Sequence, residues 1–243
     1  MTTTATEPRR TVAPPGRGGT FRTDTALILL TVTAGITDAI SFLGLGGVFT
    51  ANMTGNLVLV GMAATSDESW QEVLRGDVLR CTASFAGFAL GMLAGFRLLR
   101  TRLLRTRPAG SARVLAVGLA LHVLFLAGWT ATDAAPGTAA GAGLIAASAT
   151  AMGVQTAAAR GLDRAGITTT FVTGTLTSLI SGLAQGDRKH AGLRTAILTA
   201  LLAGGLVGGL LLAYAPRTAA VPLLVATAGA MVLLSARRTE PGT

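Results

Sequence analysis

Apolar residues fall into eight blocks along the chain, at about 25–46, 49–64, 78–99, 112–131, 138–160, 168–184, 192–214 and 218–236, with almost all charged residues between them. Six of the blocks reach the roughly 20 residues that a helix needs to cross the hydrocarbon of a bilayer. The second and sixth are shorter and unusually polar. In the stretch FTANMTGNLVLVG, Thr50, Asn52, Thr54, Gly55 and Asn56 crowd together at what should be membrane depth. The pattern predicts an all-α polytopic membrane protein, either with six crossing helices plus two short re-entrant segments or with eight full crossings.

The connections between blocks decide between these. The tail before the first block carries Arg9, Arg10, Arg17 and Arg22, and the connection after the third carries Arg97, Arg100, Arg102, Arg105, Arg107 and Arg113. Eight crossings would put these arginine-rich regions on opposite sides, against the positive-inside rule. Six crossings put both in the cytoplasm, together with Arg160, Arg164, Arg188, Lys189, Arg194, Arg237 and Arg238. The acidic connection with Asp67, Glu68, Glu72 and Asp77 then lies outside, as does Asp133. Arg217 is left as the one basic residue on an external loop away from acidic company. The expected organisation is a disordered cytoplasmic tail (1–23), first-repeat helices (24–107), a long helix completing that half (108–134), a second repeat (135–238) and a short tail (239–243).

Half of the 243 residues are apolar and 13% are charged, outside the range of a soluble domain with a polar surface. A net charge of +9 would suit nucleic acid if it formed a stripe, but here it sits in loops, and no nucleic-acid partner is expected. Cys81 is the only cysteine, so an intramolecular disulfide or thiolate cluster is excluded. His122 and His190 have no second ligand in helical register. The chain has no G-x-S-x-G, G-x-x-x-x-G-K or H-E-x-x-H motif, so no catalytic residue, metal or cofactor is expected.

The polar stretch has a partner in the second half. VFTANMTGNLVL, from Val48, lies on ITTTFVTGTLTS, from Ile167, with Thr54-Gly55 on Thr173-Gly174 and Asn56 on Thr175. Upstream, Ala34-Gly35-Ile36 matches Met152-Gly153-Val154 with a single-residue gap. Downstream, Ala86-Gly87 with Gly91 matches Ala203-Gly204 with Gly208. Three crossings per half make the second half run upside down, the inverted-repeat plan of many transporters and channels. Gly87, Gly91 and Gly95, the pairs Gly204 with Gly208 and Gly205 with Gly209, and the series Ala149, Gly153, Ala157 and Gly161 form small-residue ridges. These suit close packing within one subunit, with a homodimer face as the alternative.

Asp38 is the one acidic residue well inside a crossing block, where a carboxylate is costly and normally faces the bundle interior. Thr31, Gly35 and Ser41 share a helical face with it. The repeat places Thr156, beside Gln155, at the equivalent position. The candidate solute-binding or pore-lining set is therefore Asp38, Asn52, Thr54, Gly55, Asn56, Gln155, Thr173, Gly174 and Thr175. A structural role for Asp38, bonding exposed backbone of the partial segment, is the competing reading.

Gly35-Ile-Thr-Asp38-Ala, followed by Val48-Phe49 and Asn52-Met-Thr-Gly-Asn56, resembles the signature of the YoaK family of bacterial integral membrane proteins, over about Asp24 to Arg238. The resemblance implies a small multi-pass protein of the inner membrane and brings no substrate or catalytic residues with it. The expected function is a small-solute transporter or channel with a site between the two partial segments, its partners being the lipid bilayer and a small polar solute. A non-transporting scaffold or regulator is the alternative. An intramembrane enzyme using Asp38 as acid or base would lack a nucleophile, metal set or second carboxylate at depth.

Overall fold

The computed structural model describes residues 17–63, 68–101, 109–162, 172–188 and 190–236. The tail up to residue 16, Asp67, the middle of the arginine loop (Arg102, Arg105, Arg107), Arg164, Lys189 and the tail from Arg237 lie outside these residues. Eight α-helices are described: α1 Arg17–Gly44, α2 Met53–Ala63, α3 Glu68–Arg100, α4 Ala109–Ala131, α5 Thr138–Gly161, α6 Val172–Ala184, α7 Ala191–Tyr214 and α8 Val221–Ser235, the last entered through a 3-10 turn at Pro216–Thr218. Six of them, all but α2 and α6, supply segments long and apolar enough to cross a membrane. At 1.5 Å per residue, the 11 residues of α2 and 13 of α6 fall short of a hydrocarbon layer about 30 Å thick.

Two boundaries differ from the sequence expectation. Residues 17–23, expected within a disordered tail, begin α1; Thr23 and Thr25 donate to the carbonyls of Gly19 and Phe21, and Arg22 reaches the carbonyl of Ala236. Helix α3 starts at Glu68, ten residues before its apolar block; Glu68, Gln71, Glu72 and Leu74 are good helix formers.

Glycines set how the spans meet. Gly204 and Gly208 of α7 lie against the backbone of Val32 and Ile36 in α1, and Gly35 against Leu201 and Gly205. Rising numbers meet rising numbers, so α1 and α7 run parallel. Gly87, Gly91 and Gly95 of α3 meet Ala146, Thr150 and Ala157 of α5 in the same sense, and Gly153 meets Phe88. At these crossings a β-carbon would strike backbone or, at Gly95, the Ala157 methyl, which is why small residues are required. A β-carbon on Gly205 or Gly209 would point away from this contact and meet, among the described residues, nothing nearer than a Leu43 methyl.

The pairing of helices repeats. Helix α1 packs on α7 and α8, and α5 packs on α3 and α4; α2 lies on α3 and α6 on α7; α4 meets α8. Exchanging α1–α4 with α5–α8 returns the same set. Arg80 of α3 lies beside Gly46, just past the end of α1, so α3 runs back antiparallel to α1, and α5, parallel to α3, is inverted relative to α1. The repeat is therefore an inverted one.

Its register differs from the sequence match in one place. Gly91 on Thr150 corresponds to Gly204 on Val32, and Gly95 on Ala157 and Val154 corresponds to Gly208 on Ala39 and Ile36. This keeps Gly35 with Gly153 but shifts the α3–α7 equivalence by one helical turn, pairing Gly91, not Gly87, with Gly204.

Two apolar clusters close the ends of the bundle. Leu27, Leu30, Leu115, Val154, Ile197 and Leu234 fill the end where the described arginines Arg22, Arg97, Arg100, Arg113, Arg160 and Arg194 gather. Ile36, Ile40, Phe125, Trp129, Leu144 and Leu223 fill the other, where the Trp129 indole N–H donates to the carbonyl of Pro216 at 2.7 Å. At that end Arg217 pairs with Asp133 at 3.0 Å, so it does not stand away from acidic company as expected. Leu202, Leu206, Val225 and Val232 lie exposed on the outer faces, as lipid-facing side chains do.

Candidate functional site: a polar pocket between two half-helices

After Gly44 the chain does not leave the bundle. Gly46 (φ +90°) and Gly47 (φ +76°) take left-handed conformations that a β-carbon disfavours, and the backbone turns down beside α1. Phe49 stacks on Phe42 with ring centroids 4.8 Å apart. Thr50 and Ala51 then donate their N–H groups to Asp38 Oδ1 at 2.9 and 2.7 Å, and the Asn52 N–H is also directed at this carboxylate. Asp38 lies six residues before the end of α1, so α2 starts about 9 Å below that end. Helix α2 climbs back beside α3, with Asn56 level with Ser84.

The loop backbone is fastened as well as lowered. The Asn56 amide accepts from the Phe49 N–H at 3.0 Å and donates to the Phe49 carbonyl at 2.6 Å, and that carbonyl also accepts from Ser84. Ser148 of α5 donates to Thr50 Oγ1, which itself lies 3.4 Å from Ser41 Oγ. Non-helical backbone survives at membrane depth only when protein or water satisfies it, and here buried side chains do so. The break thus spans residues 45–52. Gly55, expected to be the break, sits in the first turn of α2, where its bare α-carbon makes room for the Phe49 ring.

Helix α6 enters from the opposite end. Arg194, near the start of α7, donates to the Ser178 carbonyl at 2.8 Å, while Val172 and Thr173 at the other end of α6 share a pocket with Leu201. Because α7 runs away from the arginine end, the N-terminus of α6 is its deeper end. The N-termini of α2 and α6 therefore approach one another from opposite sides.

Between them lies a pocket of about 270 Å³, lined by Ala34, Asp38, Ala51, Asn52, Thr54, Gly55, Val58, Val172, Thr173 and Leu201. Of the nine residues singled out in the sequence, Asp38, Asn52, Thr54, Gly55 and Thr173 are brought together here. Asn56 and Thr175 are buried in packing outside the lining. Gln155 is buried too, donating to the Leu30 carbonyl at 2.9 Å while its Oε1 has no partner among the described residues. Gly174 is exposed, and a β-carbon there would meet none of the described residues within 4 Å. The apolar wall of Ala34, Val58, Val172 and Leu201 had no signal in the sequence. Ser84 and Ser148 could have been suspected as polar residues within apolar blocks.

The chemistry available is one carboxylate, one amide and two hydroxyls against an aliphatic wall. Among the described residues no group of three His, Cys, Asp or Glu could hold a metal ion, and Cys81 is buried. His122 is buried in the α4–α8 contact, 3.4 Å from Thr227 Oγ1 and outside the pocket lining.

Six spans in an inverted repeat, with two re-entrant half-helices meeting at a polar pocket, define a class of multi-pass membrane protein. Residues 26–235 match the family described as "Protein of unknown function (DUF1275)", and the chain belongs to that family. It is 34% identical over 161 residues to the "UPF0700 transmembrane protein YoaK" of Bacillus subtilis (strain 168), covering 66% of this chain and 67% of that protein. No solved structure matches the chain.

Proposed function

We propose that the protein is a small-solute transporter or channel of the bacterial inner membrane, with its site in the pocket between the Thr54-Gly55 and Thr173-Gly174 segments. The observation that carries this reading is the placement of Asp38. A carboxylate at membrane depth lines a cavity where half-helices from the two inverted repeats meet, as discontinuous helices do in transporters built this way. The Thr54 and Thr173 hydroxyls and the Asn52 amide supply further polar contacts. The arginine end is cytoplasmic in this proposal, with both termini, by the arginine bias of its loops. Solute partners are small and polar, and the Gly205–Gly209 face is available to a second copy.

Flux into proteoliposomes tests the proposal. A panel of small polar solutes should include at least one that enters faster than into protein-free vesicles, and Asp38→Asn should slow it. A complete lack of flux across the panel, with folded protein in the membrane, would favour the scaffold reading. Single cysteines at positions 72 and 105 in a Cys81→Ala background should label from outside only at 72.

A further inference from the structure

We infer that the pocket selects a small solute carrying a protonated amine, with its aliphatic part against Ala34, Val58, Val172 and Leu201; this rests on the transport reading above. Among the described residues, Asp38 is the only formally charged one in the lining, and none of the described arginines or histidines lines the cavity. Its side chain accepts from backbone N–H groups of the re-entrant loop, two of them at Oδ1. Asp38 is only partly buried, because the carboxylate also borders the cavity.

The sign of charge then decides. An anionic solute would share a cavity of about 270 Å³ with a carboxylate and find no cationic side chain among the described residues that line it. Like charges a few ångströms apart repel strongly away from bulk water. The half-helix N-termini contribute roughly half a positive charge each. Just ahead of α2, the loop N–H groups of Thr50 and Ala51 are already directed at Asp38. An ammonium pairs with the carboxylate directly, and its remaining N–H groups find acceptors in Thr54, Thr173 and the Asn52 side chain. The size fits as well: at about 30 Å³ per water, the cavity holds on the order of nine waters, the room of a small organic cation.

The test uses full-length protein in lipid nanodiscs, titrated calorimetrically with n-propylammonium, 1-propanol and propionate, with empty nanodiscs as the blank. Propylammonium should bind at least tenfold more tightly than the other two. Asp38→Asn should weaken it tenfold or more. Because that variant also alters the loop, Thr173→Phe serves as a second probe: it fills the cavity from α6 without touching Asp38 and should cost a similar factor. Equal or tighter binding of propanol or propionate overturns the inference, as does propylammonium binding that Thr173→Phe leaves unchanged. Flux separates the two levels. Propylammonium that binds selectively but does not cross removes the transport reading and keeps the amine site, whereas transport with no preference for amines does the reverse.

Discussion

The half-helices α2 and α6 occupy equivalent places in the repeat, yet the fold holds them differently. The loop before α2 is bonded by Asp38, Asn56, Ser84 and Ser148 and stacked through Phe49 on Phe42. Helix α6 packs on α7, has Thr175 as its one buried residue, and leaves Leu176, Ile180 and Leu183 exposed. At two equivalent positions the first half carries the stronger hydrogen-bonding group: Asp38 against Thr156, and Asn56 against Thr175. Thr156 spends its hydroxyl on the Met152 carbonyl of its own helix. The comparison teaches that a duplicated backbone can keep its plan while one copy takes over the fixing of the site and the other supplies a more lightly seated wall.

The largest expected effect comes from removing the loop clamp. Asn56→Leu deprives the Phe49 N–H of its acceptor in a buried setting and should cost about 2–4 kcal/mol. Thr175→Val at the equivalent site removes one buried hydroxyl and should cost less, about 1 kcal/mol. Unfolding midpoints in one detergent compare them, and equal losses would remove the asymmetry.

Next comes the pair of glycines. A β-carbon on Gly55 would lie 2.8 and 2.9 Å from the Phe49 ring, so Gly55→Ala should destabilise by about 1–3 kcal/mol through overpacking. At Gly174 the space is open, and Gly174→Ala should be neutral or gain up to about 1 kcal/mol of helix propensity. If both substitutions cost the same, the two half-helices are seated alike.

The smallest effect sharpens the role of the carboxylate. Asp38→Asn keeps an oxygen acceptor for Thr50 and Ala51 but loses charge assistance, and should cost about 1–2 kcal/mol. Thr156→Val breaks only a bond back along α5 and should shift the midpoint by less. A larger loss at Thr156 would reverse the comparison.

Much of this was legible in the sequence, for identifiable reasons. Arginine placement and block length separated spans from half-helices because bilayer thickness and loop charge act on composition directly. Asp38 was legible because a lone carboxylate in an apolar block has few places to go. The α3–α7 register was not. Glycines spaced at four, such as Gly87, Gly91 and Gly95, still match a partner ridge after sliding by one turn, and only the backbone contacts remove the degeneracy. The break was misplaced for a related reason. Thr54-Gly55 is the visible motif, but Gly55 serves the packing of Phe49, and the turn itself belongs to Gly46 and Gly47. Gly174 faces away from the pocket although Thr173 lines it, because one residue is about 100° of helix.

The parallel pairing of α1 with α7 also has a consequence for biosynthesis. The groove that Gly35 offers is met by Leu201 and Gly205, which leave the ribosome about 170 residues later, on the order of ten seconds or more at ordinary elongation speeds. Through that interval the first span, with Asp38 in it, resides in the lipid without its main partner. The Thr50 and Ala51 amides, only a dozen residues downstream, are the first groups able to shelter the carboxylate. The re-entrant loop thus acts as a co-translational companion for α1, and halves of the protein made as separate fragments should accumulate only when both are synthesised together.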